Sequence, residues 1–571
     1  MKKLINDPKF VVREMLEGVV AMSQGLAILC DENVVIRNDL PGKLNRKVAV
    51  ISGGGAGHEP AHAGYVGAGM LTAAVVGDVF TSPSVDAVLA AIRAVSGRAG
   101  ALLIVKNYTG DRLNFGLAAE IATSEGIPTE MVLVADDVSL RNTVSVERRR
   151  GIAGTVFVHK LAGAAADARL PLSDVARIAR QAASEVRSMG VGLGTCIVPA
   201  VGHAGFSLGE NEIEYGLGIH GEKGVERMAM KPADEIVDDV LSTILSDFGE
   251  ASPSNVAVLV NGLGATPQME LAIALRHSLF NLTQRGLKVE RAWCGNFMTA
   301  LEMPGFSLSL LPVDKERLEL LDAQVDAAGW AGNGLIRYPF AVAEGEAVEA
   351  VSQIDAQDGP LSDKLRTAAR SIADALEQAE AELSDLDGKA GDGDLGASMV
   401  RGAAAIRELA DASYATPSRF LADLGTSVRR AIAGSSGPFY ATGLVRAATH
   451  LQGIDDPEEI DWLKAFAAAI QAISDLGGAK RGDRTMLDAL YPALDAWANA
   501  ASAPHSPVAA FAAAASASTK GAEQSANLTP RVGRASYLGE RALGFPDGGA
   551  TAVAIWMNAI ERSLQSSDCC H

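Results

Sequence analysis

The chain has 571 residues, 48% of them hydrophobic but only 5% aromatic, and its 50 basic and 69 acidic side chains leave a net charge of −19. That length predicts more than one domain, with cores built from Ala, Val, Leu and Ile. The acidic balance argues against nucleic acid or an anionic membrane as main partner, yet permits a nucleotide site made of local amides and metal. The five cysteines (Cys30, Cys196, Cys294, Cys569 and Cys570) are scattered, and the last two form a terminal tail. Lacking paired metal-ligand spacing, they fit a reducing cytoplasm. No run approaches the roughly 18 apolar residues of a membrane helix. The apolar stretch at 19–30 follows Glu14 and Glu17, too late for a signal peptide. A soluble, cytoplasmic protein is expected.

To about residue 335, short β-branched runs alternate with helical stretches. Strands are predicted at 47–52, 101–106, 131–135 and 256–260, and helices at 84–95 and 173–189. This is α/β grammar, in which ligands gather at the carboxyl ends of strands. The Gly-rich, then helical segment from about 200 predicts a second lobe. Gly-Gly-Gly-Ala-Gly-His-Glu-Pro at 53–60 follows the first strand and presents His58, in a loop whose backbone can approach a polar ligand or simply turn tightly. It is neither a P-loop nor a dinucleotide fingerprint. Lys-Asn-Tyr-Thr-Gly-Asp at 106–111 sets Lys106 and Asp111 at another strand end, either as site residues or as an Asx-type turn. His220, in Gly-Leu-Gly-Ile-His-Gly-Glu at 216–222, is not on an apolar helix face and suits a base, ligand or nucleophile. His203 is a weaker candidate. His62, four residues after His58, suggests a helical metal pair, but no acid stands at the expected spacing.

Residues 336–360 are acidic and weakly apolar and are expected to form a linker. Beyond it, 363–382, 416–433, 461–476, 486–500 and 508–522 are Ala- and Leu-rich at helical spacing, predicting an all-α domain over 361–571. Asp387, Asp392 and Asp394 converge among glycines. They suit a hard divalent cation carrying a nucleotide, or else an acidic helix cap. Further Gly-rich breaks carry Ser435 and Ser436 at a helix start, Gly477 through Asp488, the run 533–541, and Asp547.

Taken together, these motifs resemble the dihydroxyacetone kinases, in the single-chain ATP-dependent form with a substrate-binding domain followed by a nucleotide-binding domain. The resemblance rests on the motifs at 53–60, 106–111 and 216–222, Gly-Asp-Gly-Asp at 391–394, Gly-Asp-Arg-Thr-Met-Leu-Asp at 482–488 and Gly-Arg-Ala-Ser-Tyr-Leu-Gly-Glu-Arg at 533–541. It implies an α/β domain of two lobes over 1–335 and an eight-helix barrel after the linker. His220 would hold a short ketose as a hemiaminal, excluding glycerol, which has no carbonyl. His58 would assist, Asp111 would serve as base, and Gly55 and Lys106 would contact substrate oxygens. Asp387, Asp392 and Asp394 would hold two Mg²⁺ ions. Leu395, Gly396, Ser398, Ser435, Ser436, Gly477, Met486, Arg541, Asp547, Gly548 and Gly549 would bind ATP. A homodimer with sites formed across subunits is implied as well.

Leu395, Pro438-Phe439, Gly548 and Lys223 depart from the family pattern. The first three bear on nucleotide geometry, and Lys223 leaves a four-carbon ketose such as erythrulose open. Two other activities stand beside the kinase. One is a lyase making cyclic FMN from FAD, which would not need His220. The other is a ketose-sensing regulator, against which the intact aspartate set argues.

Overall fold

The computed structural model of the chain describes residues 2–249, 252–343, 345 and 358–568. Most of the expected linker, residues 344 and 346–357, and the Cys569-Cys570 tail lie outside the described residues. Two compact units divide between residues 343 and 344.

The first unit is built on two six-stranded sheets. One contains β1 (Leu26–Ile28), β2 (Val34–Arg37), β3 (Ala49–Ala56), β4 (Ala73–Val79), β5 (Ala101–Lys106) and β6 (Thr129–Val134), in the order β1-β2-β4-β3-β5-β6. From β4 to β6 the pairs are parallel. Their apolar runs are continuous because both faces are buried. Leu102 and Ile104 face one core, and Leu103 and Val105 face another with Val88, Ile92 and Phe115. The other sheet contains β7 (Arg187–Gly192), β8 (Glu212–Tyr215), β9 (Glu226–Ala229), β10 (Asn255–Gly262), β11 (Lys288–Gly295) and β12 (Gly305–Pro312), in the order β11-β10-β12-β7-β8-β9.

Helices α1 (Val11–Ala21), α2 (Val85–Val95), α3 (Thr109–Ser124), α4 (Thr155–Asp167), α5 (Leu172–Glu185), α6 (Ala233–Phe248), α7 (Gln268–Gln284) and α8 (Lys315–Asp322) complete the unit. Residues of α4 and α5 share one core with Leu102 of the first sheet and Leu259 of the second. This placement accounts for α4 being buried from Thr155 through Ala166: a helix covered on all sides needs no polar face.

Two segments differ from the sequence reading. The helix expected over 173–189 stops at Glu185, and Arg187 opens β7, so the second sheet begins before residue 200. The glycine run is not a loop either, because Gly53, Gly54 and Gly55 lie within β3 and pair with β4. Glycine's low strand propensity hides such a strand. Here the missing side chains admit close neighbours: a Cβ on Gly53 would lie 2.2 Å from the Val75 carbonyl oxygen.

The second unit is all-helical. Its helices are α9 (Ser362–Gln378), α10 (Glu380–Ala390), α11 (Leu395–Arg407), α12 (Pro417–Ala431), α13 (Ser436–His450), α14 (Glu459–Gly477), α15 (Leu487–Ala501), α16 (Pro507–Gln524) and α17 (Gly548–Asp568). From α11 onward each packs on the next, α11 packs on α9, and α17 closes back onto α9. That ring of eight is the expected barrel, with the short α10 following α9 after Ala379 alone. An apolar cavity of ≈ 830 Å³, lined by Leu365, Leu424, Trp462 and Phe466 among others, lies within the unit. Among the described residues, no helix is long and apolar enough to cross a membrane.

Candidate active site

In the first unit the site gathers where β3 and β5 end. His58 follows β3, and its Nδ1 lies 2.7 Å from the Thr299 carbonyl oxygen, 241 residues away. The backbone leading to Thr299 is held by Asn261 near the end of β10, whose Oδ1 accepts from the backbone N–H of Phe297 and Met298 at 2.8 Å. His58 Nε2 points at His220 Nε2, 3.1 Å away. His220 Nδ1 lies 2.9 Å from Glu222 Oε1, and its backbone N–H donates to Glu222 Oε2 at 3.0 Å. A Cβ on Gly218 would meet Glu222 Oε2 at 1.9 Å, so glycine is required for the turn to close on itself. Arg150 anchors the loop, donating at 2.7 Å to the Gly216 carbonyl while paired with Asp137. Phe80 stacks on His58, and Tyr108 meets the His220 ring edge-on.

The electrostatics follow from burial. Desolvation, with His220 and Lys106 nearby, pushes the His58 imidazole well below its ordinary value, so it stays neutral. Burial would raise the Glu222 carboxyl, but its hydrogen bond to His220 and that ring's charge hold it at about 2. Lys106, fully buried, is pushed down by desolvation, which the Asp111 charge opposes. Lys106 and Asp111 flank the same opening: a Cβ on Gly54 would lie 2.5 Å from Lys106 Nζ and 3.6 Å from Asp111 Oδ2. Asp111 Oδ1 is buried without a hydrogen-bond partner. A buried, unpaired carboxylate oxygen is costly and marks a place for a ligand. Gly55 instead turns its open side toward the Phe80–Thr81 backbone. His62 lies outside any helix and bonds to Lys106, so it does not pair with His58 as a metal ligand set would. His203 is exposed on a loop.

In the second unit the candidates collect at one end of the barrel. Short connections make neighbouring helices from α11 to α16 antiparallel, and the Asp547 N–H bond to the Ser525 hydroxyl returns the start of α17 to the end of α16, so α11, α13, α15 and α17 all begin there. Asp387 lies in the last turn of α10, and Asp392 and Asp394 follow; all three offer carboxylate oxygens within 4.8 Å of one another. Asp387 Oδ2 also accepts the backbone N–H of Asp394 and Leu395 at 3.0 and 3.3 Å. Leu395, Gly396 and Ser398 form the first turn of α11. Gly396 packs on α10, and the Ser398 hydroxyl accepts from Arg401. Ser435 and Ser436 start α13, and Gly477, at the end of α14, lies against the Phe439 ring. Met486 caps α15 beside Gly549, while Gly548 opens α17 against Leu395.

Burial raises Asp547 to about 6, against its bonds from the backbone N–H of Ala550 and Gly549 and the charge of Arg484. Arg484 is only 1% exposed; it donates to the Ala542 and Phe545 carbonyls at 2.9 Å, with Nε and Nη1 unpartnered. Arg541 is exposed.

Several contributors carried little or no signal in the sequence. Glu222 stood inside a motif but had no assigned role, and Thr299 and Asn261 are too distant to associate with His58. Arg484 looks like a surface arginine in a glycine-rich loop, and only the structure shows it buried.

Comparison with known proteins agrees with this division. A family model described as Dak1 domain matches residues 17–329, and one described as DAK2 domain matches 389–562. The chain is 44% identical to a putative 3,4-dihydroxy-2-butanone kinase of Solanum lycopersicum, covering 99% of this chain and 98% of that one. It is 41% identical to the triokinase/FMN cyclase of Homo sapiens, covering 99% and 100%. Among solved structures, the dihydroxyacetone kinase from C. freundii in complex with AMP-PNP and Mg²⁺ matches with a TM-score of 0.65 and 34% identity, over 98% of this chain and 99% of that one.

Proposed function

Because the chain belongs to the single-chain dihydroxyacetone kinase and triokinase family of ATP-dependent enzymes, we propose that it phosphorylates a hydroxyl of a short ketose held on His220. Dihydroxyacetone is the leading substrate, with L- or D-erythrulose as the alternative; the tomato relative is named for a four-carbon ketone.

The contact between the two Nε2 atoms carries this reading. Each Nδ1 faces an oxygen acceptor, Thr299 O or Glu222 Oε1, and so bears a hydrogen. A 3.1 Å approach of the two Nε2 atoms then requires one further proton between them. That proton and the His220 lone pair are the two things a carbonyl addition needs. As His220 Nε2 bonds to the carbonyl carbon, the C=O π pair moves onto oxygen, which takes the proton by way of His58. The positive charge stays on the His220 ring, opposite the ionised Glu222 carboxylate. At rest that proton leaves His58 neutral; it crosses to His58 Nε2 as the His220 lone pair is freed for the addition, and desolvated His58, a poor proton holder, passes it on readily. Asp111, with its unpartnered Oδ1, would accept the proton of the attacking hydroxyl, and Lys106 would steady a substrate oxygen.

In the second unit the donor set suits the expected ligand, since carboxylate oxygens are what Mg²⁺ takes. The helix starts offer free N–H groups for phosphates. Asp387, Asp392 and Asp394 would hold two Mg²⁺ ions, and Ser435 and Ser436 would meet phosphate oxygens. Gly477 and Met486 would border the adenine. Leu395, Gly396, Ser398, Arg541 and Asp547 through Gly549 would complete the ATP site. Bound there, the metal neutralises triphosphate charge and orients the transferring group. The enzyme would work in the cytoplasm as a homodimer, one subunit's nucleotide unit serving its partner's substrate unit.

The test is ADP release across dihydroxyacetone, glyceraldehyde, both erythruloses and glycerol. Ketose-dependent release is expected, with none from glycerol; equal turnover of glycerol would refute the hemiaminal. The human relative's name adds FMN cyclase. Such an activity would draw only on the second unit, and a His220→Ala variant separates it from the kinase.

A further inference from the structure

Next to the His58–His220 pair, Lys106 is held by a set of buried groups, Ser52, His62 and His159, that the reaction above leaves without a role. Lys106 Nζ is 2.8 Å from His62 Nε2 and 3.4 Å from the Gly53 carbonyl oxygen. His62 Nδ1 lies 3.4 Å from Ser52 Oγ, which donates to the Ile104 carbonyl at 2.7 Å. His159 Nε2 is 3.1 Å from the same hydroxyl. All four side chains are buried.

The network fixes every proton. An ammonium only donates, so His62 Nε2 is a bare acceptor and its hydrogen sits on Nδ1, facing Ser52. The Ser52 hydrogen goes to Ile104, so His159 must donate from Nε2 and keep Nδ1 bare; that atom has no hydrogen-bond partner. Both rings are then neutral, as burial and the Lys106 charge favour. Of the three Lys106 N–H bonds, one goes to His62 and one to Gly53. The third goes to neither, and the missing side chain of Gly54, whose Cβ would lie 2.5 Å from Nζ, leaves that side of the ammonium uncovered toward Asp111.

We propose that His62, backed by Ser52 and His159, is a positioning residue that holds the Lys106 ammonium with one N–H aimed at an oxygen of the bound ketose. This rests on the reading of Lys106 as a substrate contact. A neutral imidazole suits that role, because a carboxylate in its place would hold the ammonium equally well but cancel the charge the substrate oxygen needs.

The test uses the full-length enzyme and compares His62→Leu, His62→Gln, Lys106→Met and the Leu/Met double variant, with thermal unfolding as a control on folding. His62→Leu is expected to raise KM for ketose about 10- to 100-fold, leaving KM for ATP within about twofold. His62→Gln, whose amide oxygen can accept from Lys106, should recover most of that loss. On the Lys106→Met background the His62 change should add less than about twofold. An unchanged ketose KM in Lys106→Met would overturn the Lys106 reading itself. A raised KM there, with His62→Leu unaffected or additive, would overturn this inference alone. If His62→Leu does not fold, Ser52→Ala reads the same chain: its smaller rise in ketose KM must vanish on the Lys106→Met background, and persistence there refutes the proposal.

Discussion

His58, Lys106 and Asp111 are buried, whereas Asp392 and Asp394 are exposed. The difference follows from what each site must do. On the proposed reading, covalent capture of a small carbonyl compound needs proton-transfer partners that are desolvated and placed beforehand, because solvent would reorganise around every charge that moves. A triphosphate brings its own charge and counter-ions, so the groups that grip it can wait exposed. The first unit therefore spends its stability on desolvated side chains, and the second on helix ends converging around a gap.

The sharpest way to break this contrast is to remove one group from each unit. His220→Ala should lower kcat/KM for ketose by about 10³-fold or more, with Mg-ATP affinity unchanged. Steady-state kinetics and nucleotide titration read the two halves, and unchanged ketose affinity would refute covalent capture. Asp392→Asn should do the reverse, costing about 10²-fold in kcat/KM for Mg-ATP while ketose binding survives. Calorimetry with ketose alone checks the second half.

A subtler difference lies in pH. Burial raises Asp547 to about 6, so between pH 4 and 6 the folded unit binds a proton that the unfolded chain has begun to release. Stability from this group is therefore present below about pH 4 and is lost as pH rises through 6. Partial solvent access keeps the effect to about 1 kcal/mol. Asp547→Asn should remove this pH dependence, so that the difference in thermal unfolding between parent and variant slopes across that range, and should weaken nucleotide binding at pH 7. A difference curve with no slope between pH 4 and 6 would show that Asp547 titrates normally.

What could be read beforehand divides along the same line. The strand at 101–106 was legible because its apolar run ends in a lysine, and the all-α second unit because its segments repeat at helical spacing, while its closure into a barrel was implied only by the family resemblance. Lys106, Asp111, His58 and His220 were visible as residues, since a polar group among glycines at a strand end has few structural uses. Their arrangement was not. The hydrogen bond from His58 spans 241 residues to Thr299, and no local pattern encodes a contact that only the packing of two sheets creates. The second half of β3, Gly53 to Ala56, was hidden for a different reason, because its glycines serve neighbours pressed against the backbone rather than the strand itself.

The smallest expected effect bears on two positions that each depart from the family pattern and turn out to touch. A Cβ on Gly548 would lie 2.7 Å from Leu395 Cδ2, and Leu395 is buried in the core with Leu383 and Met399. Leu395 thus occupies space that a side chain at 548 would claim. Gly548→Ala must push Leu395 aside at a cost of about 1 kcal/mol, whereas on a Leu395→Ala background it should cost nothing or stabilise the start of α17. The coupling, about 0.5–1 kcal/mol by double-mutant cycle in thermal unfolding, is the quantity to measure. It should reach the proposed metal site as well, since the Leu395 N–H donates to Asp387. KM for Mg-ATP is then expected to rise in Gly548→Ala and return in the double variant. Strict additivity would mean that the two departures arose independently and that the aspartate cluster does not feel them.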